Sequence, residues 1–113
     1  MINTAPTSAF YRLNSVAIAI FAKDFFMALS FPNPTRSYDS KHHCVRFWGY
    51  DGTFEVSFLV EQLAFSRINP GAPLDESGIL RIFDKYRDKI LGVARRVYRG
   101  RHPGAYTLVA SDF

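Results

Sequence analysis

The sequence predicts an α+β domain: a small antiparallel sheet with a short and a long helix packed on one face. Three observations predict it. Two alternating apolar runs flank an Asp-Gly pair at residues 51–52, a long amphipathic pattern fills the second half, and a short alternating run closes the chain. The 113 residues, 12.9 kDa in mass, give room for one ordinary domain. Hydrophobic residues make up 48% and charged residues 21%, which is the composition of a folded chain.

The elements follow in order. Met27, Leu29 and Phe31 alternate with Ala28 and Ser30 as a half-buried first strand, which Pro32 and Pro34 end because neither donates a ladder hydrogen bond. A polar loop with Asn33, Ser37, Asp39 and Ser40 leads to the hairpin. With Asp51-Gly52 as a two-residue turn, Tyr50 faces Thr53, Gly49 faces Phe54, Phe47 faces Val56 and Val45 faces Phe58. The six residues of the last three pairs share one face, which is apolar throughout, while the other sets Arg46 opposite Ser57 and Trp48 opposite Glu55, with Tyr50 and Leu59 nearby. A slip of one residue would mix the faces.

Residues 60–65 read as a short helix, and Asn69-Pro70-Gly71-Ala72-Pro73 as a loop. Asp75 is placed to cap the next helix. Ile79, Phe83, Tyr86, Ile90, Val93 and Val97 recur at steps of 4, 3, 4, 3 and 4, with Leu80 and Ala94 widening the stripe. This predicts one amphipathic helix of about six turns, ending near Gly100. Tyr106, Leu108 and Ala110 alternate in a last strand.

The first 26 residues read differently. Their apolar run, residues 16–22, is only seven long, too short to span a bilayer. Arg12 is the only early basic side chain and no small-x-small site follows the run, so the segment makes a poor signal peptide. Residues 1–26 are expected to be a loosely attached, disordered extension or the product of an upstream start, and residues 27–113 the single α+β domain.

The segments Phe31-Pro32, Tyr38-Asp39, Val45-Arg46-Phe47, Asp51-Gly52, Phe83-Asp84-Lys85-Tyr86-Arg87 and the closing Asp112-Phe113 resemble the bacterial family of domains of unknown function numbered 1488. The resemblance covers about residues 27–113. It implies a small bacterial α+β domain, usually a stand-alone protein, with no assigned activity, and it supplies no functional residues.

The formal charge of +4 is unevenly placed. Between Arg81 and Arg101 eight Lys or Arg stand against two Asp, a local +6, which leaves six Lys or Arg against eight Asp or Glu elsewhere, a balance of −2. Arg95, Arg96, Arg99 and Arg101 could therefore form an anion or nucleic-acid patch. Cations at a helix C-terminus also offset the helix dipole, and that alone accounts for such a cluster.

A second candidate is the hairpin's outer face, where Arg46, Trp48 and Tyr50 lie near Glu55. A tryptophan beside an arginine suits an interaction surface, for a protein partner or a second copy of the chain. The plainer reading is a cross-strand cluster, Trp48 over Glu55 with Arg46 nearby, covered by the N-terminal extension or by a second subunit.

His42 and Cys44 would share a strand face, as a Cys–His dyad or two metal ligands require, but no orienting group or further ligand set accompanies them. One cysteine forbids an internal disulfide. The chain has no glycine-rich phosphate loop, no HExxH and no GxSxG. Asp39, Asp51 and Asp75 fall at turn or cap positions, where their side chains bond local amides. The expectation is a cytoplasmic, non-enzymatic interaction or self-association module without a cofactor and without a membrane span. The alternative is nucleic-acid binding through the basic helix end.

Overall fold

The computed structural model describes residues 29–100 and 103–113. The predicted extension, the start of the first strand at Met27, and Arg101 lie outside the described residues. Five strands form one sheet: β1 (Leu29–Ser30), β2 (Arg36–Asp39), β3 (Cys44–Asp51), β4 (Phe54–Glu61) and β5 (Tyr106–Leu108). Three helices, α1 (Gln62–Ile68), α2 (Glu76–Lys85) and α3 (Arg87–Val97), stand between β4 and β5 in the chain. The fold class is α+β as expected, with a mixed sheet.

The hairpin of β3 and β4 is the centre of the sheet. Its register sets Phe47 opposite Phe58, Val45 opposite Val60, Gly49 opposite Val56 and Asp51 opposite Phe54. The turn is therefore Gly52 and Thr53, one residue beyond the expected Asp51-Gly52. Gly52 takes φ 63°, and Thr53 does not enter the left-handed region. Glycine at the first turn position is what a II′ turn asks for, whereas the expected turn would have put Asp51 at positive φ. The correction moves each partner by two residues, an even number, so both faces keep their members.

β1 and β2 pair antiparallel with the same edge of β3, β1 at its end and β2 at its beginning. They amount to one edge strand interrupted by residues 31–35, where Pro32 and Pro34 are tolerated because, among the described residues, the edge faces no further ladder. β2 stands where a loop was expected: Arg-Ser-Tyr-Asp carries little apolar pattern, and its pairing with β3 holds it. The β2–β3 connection, residues 40–43, ends at His43 with φ 52°. The Asp39 carboxylate accepts from the amides of Lys41 (3.0 Å) and His42 (3.1 Å) and fixes that turn.

β5 pairs parallel with β4, Phe58 beside Tyr106 and Val60 beside Leu108, so the expected all-antiparallel sheet is corrected. The helical layer carries the chain back to the starting end of β4, which makes β4, the helices and β5 a crossover unit. The strand stops at Leu108; residues Ala110–Asp112 form a 3-10 turn, with the Asp112 carboxylate accepting from the Val109 amide at 2.8 Å.

α1 begins at Gln62, two residues later than expected, because Val60 is held in the ladder between Val45 and Leu108. Asp75 caps α2 as predicted, accepting from the Gly78 amide at 3.1 Å. The expected single long helix is broken at Tyr86, whose φ −107° and ψ 26° lie outside the helical well. Tyr86 still donates to the Ile82 carbonyl (2.9 Å) and accepts from the Ile90 amide (3.0 Å), so the break is one residue wide.

One core joins the layers. Leu29, Val45, Phe47, Val56, Phe58, Val60 and Leu108 from the sheet meet Phe65, Ile79, Phe83, Ile90 and Ala94 from the helices, all buried. Phe47 stacks on Phe58 with ring centroids 5.2 Å apart, and Phe83 descends onto Phe47 at 5.4 Å. Burial of each such ring stabilises the fold by roughly 1.5–3 kcal/mol before chain entropy is subtracted. Tyr98, just past α3, is fully buried, and its hydroxyl donates to the Asp51 carboxylate. Asp51 was expected to bond a local amide; instead it ties the hairpin's tip to the end of the helical layer.

Candidate functional site

The described helices pack the core residues against one side of the sheet, with Leu63 of α1 left exposed, and no residue of that core lies on the other side. The reverse face is built by the even-numbered positions of β3 and the odd-numbered positions of β4, because side chains alternate along a strand. Its rows are Cys44 with Glu61, Arg46 with Leu59, Trp48 with Ser57, and Tyr50 with Glu55. Glu55 thus lies opposite Tyr50, where the sequence placed it opposite Trp48. Glu55 is exposed, and Arg46, Trp48, Tyr50, Ser57 and Leu59 are half-buried. Arg46 and Glu55 sit at opposite corners, and among the described residues neither has an ion pair or a side-chain hydrogen bond. The structure therefore brings the four predicted residues onto one face, where Glu61 is a third charged residue, and leaves Arg46 and Glu55 without an ion pair among the described residues.

The basic helix end is differently arranged. The Arg95 guanidinium lies over the Phe31 ring, 5.0 Å from its centroid. Arg96 donates to the Asp112 carbonyl. Arg99 donates through its guanidinium to the carbonyls of Arg96 (2.6 Å) and Tyr98 (2.9 Å), closing the C-terminal end of α3. Three of the four arginines thus have structural contacts of their own, although Arg95 and Arg96 remain exposed. Upstream, Arg87 lies 5.4 Å from the Phe83 ring centroid and donates to the Asn33 carbonyl at 3.2 Å. Asp84 does not pair with Arg81 along the helix; it takes a two-pronged bond from Arg36 of β2, at 2.9 and 2.8 Å.

His42 and Cys44 do not form a dyad. His42 lies in the turn and its Nδ1 contacts the Asp39 carboxylate at 2.8 Å. Cys44 opens β3 and is buried. Burial pushes its thiol pKa up, and the nearby Asp39 carboxylate adds to the shift, the opposite of what activates a cysteine nucleophile. Among the described residues no group of three or more His, Cys, Asp or Glu is placed to hold a metal ion.

Sequence reasoning missed one concavity. A half-open groove of about 270 Å³ lies between the loop after α1 and the flank of α2. Pro73 and Ile82 wall it, and Arg81, Lys85 and Asn69 supply its polar rim. The signal available was a Pro-Gly loop followed by two cations four residues apart; they fall on one helix side, but nothing in the sequence says that the loop folds back against them.

No described helix is long and apolar enough to cross a membrane. No curated protein and no solved structure matches the chain. The sequence model of the family described as "Protein of unknown function (DUF1488)" does match, over residues 29–109, which begins at β1 and ends just past β5. With the match covering well over half of its length, the chain belongs to the DUF1488 family.

Proposed function

We propose that this domain is a non-enzymatic protein-interaction module of the bacterial cytoplasm that docks through the reverse face of its sheet around Trp48. The observation that carries the reading is the one-sidedness of the fold: the helices roof one face, while the other presents a tryptophan flanked by Arg46, Tyr50 and an exposed Glu55. Large aromatics beside arginine are the side chains that release most free energy when a surface is covered. The burial of Cys44, which raises its thiol pKa, and the engagement of His42 with Asp39 support a role without covalent chemistry.

The alternative, nucleic-acid binding at the end of α3, draws on the exposure of Arg95 and Arg96. It has less support because their guanidinium groups already serve Phe31 and the Asp112 carbonyl.

Capture from nuclease-treated lysate tests the two together. Wild type and Trp48→Ala, both shown folded by circular dichroism, are compared. A protein retained by wild type and lost with Trp48→Ala is the expected result. Retention that needs intact nucleic acid, and that disappears in an Arg95/Arg96/Arg99 triple alanine variant, would replace this reading with the alternative.

A further inference from the structure

We infer that the partner of the reverse face is a second copy of this chain, docked face to face about a two-fold axis that passes beside Trp48 and pairs each Arg46 with Glu55 of the other copy. The inference rests on the proposed use of that face and commits it to one occupant.

The geometry is self-complementary. Arg46 lies on β3 in the second row of the face and Glu55 on β4 in the fourth, with Trp48 and Ser57 between them. At about 3.4 Å per residue and about 4.8 Å between strands, the two charged positions are about 14 Å apart. A two-fold axis lying in the interface and bisecting that line exchanges the two positions. Each Arg46 then meets the second copy's Glu55, and the contact occurs twice, as an isologous interface requires. Trp48 falls close to the axis, so the two indoles meet at the centre, where water is most fully excluded. Face-to-face sheets pack about 10 Å apart, a gap that an arginine and a glutamate reaching toward each other can bridge.

Two further observations favour a copy of the chain over an unrelated partner. Among the described residues neither Arg46 nor Glu55 has an ion pair, and docking supplies each with the opposite charge. The net +4 of the chain would otherwise keep copies apart. Its excess is concentrated between Arg81 and Arg101, largely on α2 and α3 of the opposite layer. The reverse face, where Arg46 stands with Glu55 and Glu61, lacks that excess, so two such chains can approach there with less repulsion.

The test is sedimentation equilibrium of the full chain. Wild type should show a concentration-dependent monomer–dimer equilibrium. Arg46→Glu and Glu55→Arg should each dimerise at least about tenfold more weakly, because each sets like charges together twice. Mixed in equal amounts, the two variants should associate again, since one now presents two carboxylates to the other's two guanidinium groups. The double reversal Arg46→Glu/Glu55→Arg within one chain should also dimerise, which keeps the test decisive if one single variant does not fold. A folded wild type that stays monomeric at high concentration overturns the inference, as do singles that dimerise like wild type or a mixture that fails to associate. If wild type is monomeric yet retains a Trp48-dependent partner from lysate, the interaction reading survives and the two-fold pairing does not.

Discussion

The Phe31 ring occupies the space above Gly49, where a Cβ would come within 2.6 Å of its Cε1 atom. The edge segment that follows β1 thereby lays an aromatic ring on the inner face of β3, and Phe31 packs against Phe47 at 5.9 Å and Phe58 at 5.8 Å between centroids. Arg95 closes over the ring from α3. Glycine is required at position 49 for space. Gly49→Ala should lower stability by about 1–3 kcal/mol in urea denaturation, the usual cost of overpacking. In a Phe31→Ala background the same change should cost clearly less, since the atom that it collides with is gone.

Phe83 joins the helical layer to the sheet through Phe47 and is fully buried. Phe83→Ala should cost about 3–5 kcal/mol by transfer and cavity terms together. Equilibrium denaturation measures the loss, and a cost below about 1 kcal/mol would contradict this packing.

The hydrogen bond from His42 holds the Asp39 carboxyl below its ordinary pKa, with two backbone amides adding to the effect. A depressed folded-state pKa means that the carboxylate's contribution is present above the unfolded aspartate value and is lost as pH falls through the folded one. The β2–β3 turn should therefore loosen only in acid, below the ordinary aspartate range. Carboxyl titration by NMR should show Asp39 with the lower midpoint, and Asp39→Asn should remove that acid limb from the stability profile.

Cys44 should react slowly with iodoacetamide at neutral pH in the folded chain and at an ordinary thiol rate in urea, because burial and Asp39 both raise its pKa. The raised value also places its contribution to stability below the unfolded thiol pKa, to be lost as pH rises through the folded one. Faster labelling in the folded chain than in urea would revive the reading of Cys44 as a nucleophile.

The alternation of Val45, Phe47, Val56 and Phe58 made the buried face of the hairpin legible, and it also placed Arg46, Trp48, Tyr50 and Glu55 together on the other side. The exact turn was not legible, because the choice between Asp51-Gly52 and Gly52-Thr53 depends on where φ turns positive and on the distant Tyr98 hydroxyl that holds Asp51. The spacing of the α2–α3 stripe continues unbroken through Tyr86, so periodicity could not report the break there. β2 escaped notice because Arg36 and Ser37 show no apolar alternation and the strand is held by β3 and by the Arg36–Asp84 pair. The direction of β5 was hidden because three residues carry no sign of orientation; the helices between it and β4 set it. That Arg46 and Glu55 have no ion pair among the described residues is a property of distances and has no sequence signature.

The parallel placement of β5 has a consequence for synthesis. The hairpin can form as soon as its residues emerge, yet the outer edge of β4 at Phe58, Leu59 and Val60 finds its partner only when Tyr106, Thr107 and Leu108 arrive. A nascent or C-terminally trimmed chain therefore shows an unsheltered row of amides and carbonyls beside two of its greasiest rungs. Loss of the last eight residues should turn a well-behaved polypeptide into one that clumps or clings to chaperones, even though nearly all of its interior remains encoded.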